Sequence, residues 1–398
     1  MNFTLIYFHR INFPSASGQT IQVIRDYYAI SESFIVHLLY RSPLPIKADQ
    51  INDTLADYGA QLSSYFNLHC IVDGWFGKHR AGKKVVNLIK SLRDPVFIVT
   101  RVPDHTETAI SIREKFSSHA IRVIFELHET AIPHMVYQEQ NRNWKAFLSL
   151  TKEKKIFRKV DGILCTVPTQ LTILDEKFPQ HAPAIVLPNS YNPAFFQFVQ
   201  AKNKKSKKRT FHMRYAGTFQ TWKNTYIIIE ALKYLPDHVV LDIAGGKLGA
   251  NEITKKMLAS QAQIHGVHNR VNYFGFLMPK QVSLFLAEAD CLILPLGNNM
   301  QSRFFTSPIK LFEYAASNVP MIVTRQPTTL SLLEDGVHAL MVKPNSAKDL
   351  ARAVQYLLHN YDVGQQLAYN AKRWVTQYST DSRSAKYKNF LYKQIDKT

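Results

Sequence analysis

The sequence predicts an α/β fold with two doubly wound parallel sheets. Short apolar, β-branched runs recur along the whole chain, and a helical pattern separates each from the next. A lysine-rich stretch without a single apolar residue divides the series in two. At 398 residues the chain exceeds one ordinary core, so two domains are expected.

The first series comprises Thr4–Phe8, Phe34–Tyr40, Leu68–Val72, Val96–Thr100, Ile121–Leu127 and Gly162–Val167, with helical stretches such as Thr20–Ile30 and Asn141–Phe157 between them. The second comprises Phe211–Ala216, Val239–Ala244, Val271–Phe274, Cys291–Leu294, Met321–Val323 and Ala339–Val342. Runs this apolar read as strands buried on both faces, and parallel strands need crossovers, which run right-handed. The predicted organisation is a first domain over 1–200, a basic linker over 201–210, a second domain over 211–380, and a last helix over 381–398 packing back toward the first domain. Open sheets of this kind bind ligands at the carboxyl ends of their strands, and two facing domains enclose a cleft that excludes water.

Hydrophobic residues make up 46% of the chain and charged residues 20%, and no apolar run is long enough to cross a bilayer. The amino end reads as a first strand with no basic leader. Cys70, Cys165 and Cys291 lie far apart in apolar runs, which implies neither a disulfide framework nor a zinc site and makes the cytoplasm the expected home. The net charge of +19 favours anionic partners. Nucleic acid is not expected among them, because no recognition motif accompanies the charge.

Ser307-Pro308-Ile309-Lys310-Leu311-Phe312-Glu313 opens a helix after the Cys291–Leu294 strand. Ser307 is predicted to cap it and Pro308 to sit in its first turn. Its N-terminus then offers N–H groups and the positive dipole end to a phosphate, and Glu313 can accept from vicinal ribose hydroxyls. A surface helix with an ordinary start fits the same residues. Gly217, after the Phe211–Ala216 run, is predicted to let the backbone turn tightly and approach a ligand. Lys223 near the following helix can place a cation on a diphosphate, although a solvated lysine satisfies the same spacing. Gly245 in Ala244-Gly245-Gly246 ends the next strand without forming the six-residue dinucleotide fingerprint. His128 closes the buried strand Ile121–Leu127, between Glu126 and Glu129, where it is either functional or a hydrogen-bonded structural histidine. Glu288-Ala289-Asp290 ends a helix and enters a strand, and is read as structural.

These segments resemble the donor domain of retaining glycosyltransferases of family 4, which have the GT-B fold. The matching pieces occur in order: RYAGTFQTWKNTYIIIEAL, LDIAGG, VNYFGFLMPKQVSLFLAEADCLILP, SPIKLFEYAASNVPMIVT and DGVHALMVKPNSAKDLARAVQYLL. In the first domain HRINFPSASGQTIQVIRDYYAIS, VIFELHET and LPNSYNPAFF are similar to the family's first loop and helix, its strand ending in histidine and its interdomain segment. The resemblance implies that Glu313 binds the ribose, that Lys223 holds the diphosphate with backbone N–H groups of the Pro308–Ile309 turn, and that Phe276 and Leu277 lie beside the base. Gly217, Thr218, Gly245 and Ser307 complete the implied donor site. His128 would face the transferred sugar, and Asn12, Ser17, Gly18, Glu126 and Glu129 would lie on the acceptor side. The implied reaction moves a sugar from a nucleotide sugar, with retention and without a metal or cofactor. The acceptor would be a glycan or lipid-linked molecule in cell-surface polysaccharide or lipopolysaccharide synthesis.

Two positions depart from the family pattern. The first of its paired glutamates falls on Phe305, leaving Gln301, Ser302 or Arg303 to reach the sugar, and its loop arginine is Thr218, leaving Arg214 or Arg303 as a second cation. A catalytically silent nucleotide-sugar-binding partner and a sugar-nucleotide epimerase therefore stay open as alternatives. The segment 78–93 is basic without an acid, with Val85, Leu88, Ile89 and Leu92 as an apolar stripe, and Lys152, Lys154, Lys155, Arg158 and Lys159 add a second cluster. Both suggest an anionic membrane surface as partner, reached peripherally from the cytoplasmic side.

Overall fold

The computed structural model describes residues 3–15, 17–72, 77–92, 95–117, 119–128, 144–197, 210–220, 223–246 and 249–395, without the side chains of 10, 77–79 and 144–149. The chain divides into two compact units, Met1–Pro188 with Thr380–Thr398, and Asn189–Ser379. The divisions fall at 188/189 and 379/380, whereas the sequence placed them at 200 and 380. The lysine-rich linker lies outside the described residues.

Among the described residues of the first unit, the strands β1 (Thr4–Asn12), β2 (Ile35–Ser42), β3 (Phe66–Val72), β4 (Val96–Thr100), β5 (Ile121–Leu127), β6 (Gly162–Cys165) and β7 (Ala184–Val186) form one parallel sheet. Its order is β3-β2-β1-β4-β5-β6-β7. The helices α1 (Gly18–Ile30), α2 (Ala48–Tyr58), α3 (Gly77–Ser91), α4 (Pro103–Lys115), α5 (Trp144–Lys159) and α6 (Pro168–Lys177) follow the successive strands. β4 and β6 are buried at every position, as central parallel strands should be. β7 escaped the sequence reading because it is three residues long and only half-buried. The order reverses between β1 and β4, which puts the switch-point crevice at their carboxyl ends.

The second unit repeats the plan with β8 (Phe211–Gly217), β9 (Val239–Gly245), β10 (Val271–Tyr273), β11 (Cys291–Leu294), β12 (Met321–Thr324) and β13 (Leu340–Val342) in the order β10-β9-β8-β11-β12-β13. Here the switch point lies between β8 and β11. The helices are α7 (Ile227–Ala231), α8 (Asn251–Ile264), α9 (Pro279–Ala287), α10 (Ile309–Ala316), α11 (Pro327–Leu330), α12 (Ala347–His359) and α13 (Tyr361–Val375). α12 shows how sequence dictates such an element. The Ser346 hydroxyl accepts from the backbone N–H of Asp349 at 3.2 Å and caps it, while Ala347, Leu350, Ala351, Val354 and Leu357 form its buried stripe.

The last helix, α14 (Thr380–Ile395), groups with the first unit and packs on α1. Tyr387 meets Tyr27 edge-on at 6.2 Å and Tyr392 stacks on Phe34 at 5.7 Å. Arg383 of α14 places Nη1 3.0 Å from Asp26 of α1, and both side chains are buried.

Candidate functional site

In the second unit the ends of β8, β9 and β10 are tied together by their glycines. Gly245 adopts φ 125°, donates its N–H to Gly275 at 2.8 Å, and leaves a Cβ no room, since one would meet the Gly217 carbonyl oxygen at 2.0 Å. Gly217 itself differs from expectation. It is not among the residues with positive φ, and a side chain is excluded there because a Cβ would lie 2.6 Å from the Tyr215 hydroxyl. That hydroxyl donates to the Thr218 carbonyl at 2.9 Å and holds the loop to the strand. Across this edge the Tyr273 hydroxyl donates to the Gly245 carbonyl at 2.8 Å, and the N–H of Phe276 donates to Asn251 Oδ1 at 3.2 Å. Leu277 follows, half-buried, before α9.

Lys223 stands beyond the β8 loop and donates to Thr218 Oγ1 at 2.8 Å. Burial, with a further push from the ammonium of Lys310, brings its pKa down to about 8. Lys310 lies in the first turn of α10 and pairs with Glu313, Nζ to Oε2, at 2.7 Å. Tyr314 of the same helix accepts from the backbone N–H of Ala216 at 3.0 Å, which fixes α10 against the end of β8. Lys223, Lys310 and Glu313 thus form one polar cluster where the strand order reverses. The sequence reading named Lys223 and Glu313 but missed Lys310, whose spacing of three residues from Glu313 puts both on one helix face.

Two expectations are corrected. Ser307 does not cap α10: its hydroxyl accepts from the N–H of Asn189 at 3.0 Å, and Pro308 occupies the cap position. Arg214 is not a second phosphate cation. It is buried, bonded to Asp242 Oδ2 at 3.0 Å and to the Phe285 carbonyl at 2.5 Å, with its guanidinium 4.6 Å over the Phe285 ring. Arg303 lies over the Phe304 ring at 5.1 Å in a π-helical turn, Gln301–Phe305, in which Phe305 is buried. Asp290 accepts from the N–H of His212 at 2.8 Å, a structural contact, as read from the sequence. Among the described residues no cluster of three or more His, Cys, Asp or Glu is arranged to hold a metal ion.

In the first unit His128 directly follows β5. Its Nδ1 lies 2.6 Å from Nη2 of Arg101 and its Nε2 3.2 Å from Oε1 of Glu126. Glu126 is buried and also accepts from the Tyr7 hydroxyl at 3.3 Å. Burial raises its pKa, but His128, Arg101 and Arg383 outweigh that and hold the carboxyl below the usual carboxylate range. Of the other residues expected on the acceptor side, Ser17 caps α1, accepting from the N–H of Thr20 at 3.1 Å, and Gly18 is the first residue of that helix. Asn12 accepts from Nε of Arg41. Glu129 lies outside the described residues. Arg101 and Arg383 carried no signal in the sequence.

Residues 196–374 match the family described as glycosyl transferases group 1. No curated protein sequence matches the chain. Among solved structures, sucrose-phosphate synthase from Thermosynechococcus elongatus superposes with a TM-score of 0.76 at 16% identity, over 100% of both chains. Anabaena HepE in complex with UDP and glucose gives 0.71 at 15% identity, covering 99% of this chain and all of its own. The lipopolysaccharide outer core galactosyltransferase WaaB gives 0.68 at 11% identity, with 99% and 100% covered. Residues 196–374 therefore resemble the glycosyl transferases group 1 family, and over its whole length the chain has the GT-B fold.

Proposed function

We propose that this protein is a retaining glycosyltransferase that moves a sugar from a nucleoside-diphosphate sugar to a glycan or lipid-linked acceptor of the cell surface. The observation that carries the reading is the cluster of Lys223, Lys310 and Glu313 at the β8/β11 switch point. Cleaving a glycosyl–phosphate bond loads negative charge on the leaving diphosphate. Two lysines and the first-turn N–H groups of α10 supply positive potential for it, and Glu313 supplies an acceptor for ribose hydroxyls. The leaving phosphate then takes the acceptor's proton on the face it departs from, which gives retention. His128 and Glu126 sit on the sugar and acceptor side. HepE, whose structures hold UDP and UDP-glucose, and WaaB, a galactosyltransferase of the lipopolysaccharide outer core, support the donor and acceptor classes.

A thermal-shift series with UDP, GDP, ADP and CDP tests the donor half. One nucleotide is expected to raise Tm, by mass action on the native state, and Glu313→Ala is expected to abolish the rise. The rise should shrink above pH 8, because binding then requires Lys223 to take up a proton first. If none of the four raises Tm in the folded protein, the donor assignment fails. Donor turnover without any acceptor would instead indicate an epimerase, and binding without turnover a silent partner.

No helix among the described residues is long and apolar enough to cross a membrane. The acceptor half of the proposal includes an anionic membrane surface, supported by α3, where Val85 and Ile89 are buried while Arg80, Lys83 and Lys90 are exposed. The α5 cluster is partly neutralised, since Lys152 pairs with Asp104 and Glu107 at 2.5 and 2.7 Å and Lys159 with Glu114 at 3.3 Å. Reversing Lys83, Lys84 and Lys90 to Glu should abolish low-salt binding to vesicles containing phosphatidylglycerol. Binding that survives the reversal removes the membrane from the proposal.

A further inference from the structure

The carboxyl ends of β1, β4 and β5 share one chain of polar contacts around His128. The Arg101 guanidinium, 2.6 Å from Nδ1, contains donors only. Nδ1 must therefore accept, and the proton of the neutral ring sits on Nε2, 3.2 Å from Oε1 of Glu126. Arg383 from α14 stands behind this pair. Its Nη2 is 3.8 Å from Glu126 Oε1, its Nη1 is 3.0 Å from Asp26, and its Nε donates to the Pro188 carbonyl at 2.9 Å. His9 of β1 also interacts electrostatically with the ring, and the Tyr7 hydroxyl donates to Glu126 Oε2 at 3.3 Å.

We propose that Arg101 is a positioning residue that fixes His128 as its neutral Nε2–H tautomer, so that the ring serves sugar transfer as a fixed hydrogen-bonding group and not as a general base. A base needs a lone pair directed at the acceptor hydroxyl. In His128 the Nδ1 lone pair is taken by Arg101, and Nε2 carries the proton and so has no lone pair to offer, although it makes no hydrogen bond to Glu126 Oε1 at 3.2 Å. The charges agree with the geometry. Burial and then Arg101 lower the His128 pKa to about 4, against the opposing pull of Glu126, with Arg383 adding to the lowering. At neutral pH the ring is therefore uncharged, and no proton passes through it as pH changes across that range. The part of His128 in sugar transfer rests on the function proposed above; its tautomer does not.

The test uses the full chain with 15N-labelled histidine, the His128 signals being assigned by their loss in His128→Gln. The expected spectrum shows protonated Nε2 and bare Nδ1, unchanged from about pH 5.5 to 8. In Arg101→Gln, Glu126 remains while the opposing guanidinium is gone. The His128 pKa should then rise, with burial still holding it below the usual 6.5, and the low-pH limb of kcat should move up with it. Arg101→Lys, whose ammonium also only donates, should restore the wild-type tautomer and profile. A wild-type spectrum with protonated Nδ1 overturns the proposal, even if neither variant folds. So does an Arg101→Gln protein whose tautomer and pH profile equal the wild type. The spectrum requires no substrate, so its outcome is separate from whether a donor nucleotide is found.

Discussion

Replacing Lys223 with Met will lower kcat/KM for sugar transfer by about 10²–10³-fold, the effect of removing one preorganised donor from a developing anion. The ammonium is partly buried, and burial together with Lys310 holds its pKa at about 8, so the fold keeps a cation there against its tendency to lose the proton. Such a site gains most when a dianionic leaving group arrives, because the charge that was costly to hold is then paired. Met preserves length and apolar packing and deletes the charge alone. The hydrogen bond lost with it, to the exposed Thr218 hydroxyl, has water as a substitute. A fall in kcat would show that the lysine acts mainly on the transition state, whereas a rise in KM with unchanged kcat would show uniform binding of donor and transition state. A loss below about threefold in kcat/KM would remove Lys223 from the proposed chemistry.

Asp242→Ala will destabilise the second unit by about 3–5 kcal/mol, a large share of the roughly 5–15 kcal/mol that holds a typical domain together. Asp242 lies mid-strand in β9, almost fully buried. Its Oδ2 accepts from Nδ1 of His212 at 2.8 Å and Nε of Arg214 at 3.0 Å, and its Oδ1 accepts from Nδ2 of Asn272 at 2.9 Å. Arg214 and Asn272 sit directly opposite it on β8 and β10, so one carboxylate joins three strands. Removing it leaves the buried guanidinium of Arg214 with only the exposed carboxylate of Glu288, 3.5 Å from Nη1, as a counter-charge. Arg214→Met combined with Asp242→Leu removes both charges and should recover most of the loss. The reading is the melting transition assigned to the second unit, because a chain of two units need not unfold in one step. A single-variant loss below about 1 kcal/mol would mean that the row contributes little beyond ordinary hydrogen bonds.

The fold was legible where burial on both faces forces an apolar run. β4, β5 and β11 were bounded to the residue, and the helix that carries Glu313 was found from its proline and its placement after a strand. Legibility stopped where a side chain's partner is distant in sequence. Ser307 looked like a cap because Asn189, which takes its hydroxyl, is far away along the chain. Arg214 looked available for a phosphate because nothing in its neighbourhood announces Asp242 and the Phe285 carbonyl. Arg101 and Arg383 went unnoticed for the same reason: each is one arginine among many until the sheet brings it to His128 or Glu126. Lys310 is a different kind of miss. It lies one turn before Glu313, and helical spacing alone was enough to pair them.

The grouping of α14 with the first unit makes the second unit an insert within the first. A ribosome therefore delivers all of 189–379 before the first unit has its last helix. Throughout that interval Asp26 and Glu126 lack the Arg383 guanidinium that compensates their burial in the finished protein. The second unit can complete its core while still tethered, whereas the unit synthesised first must finish last. A nascent chain arrested just after Ser379 would accordingly show a protease-resistant second unit beside a first unit still open to cleavage.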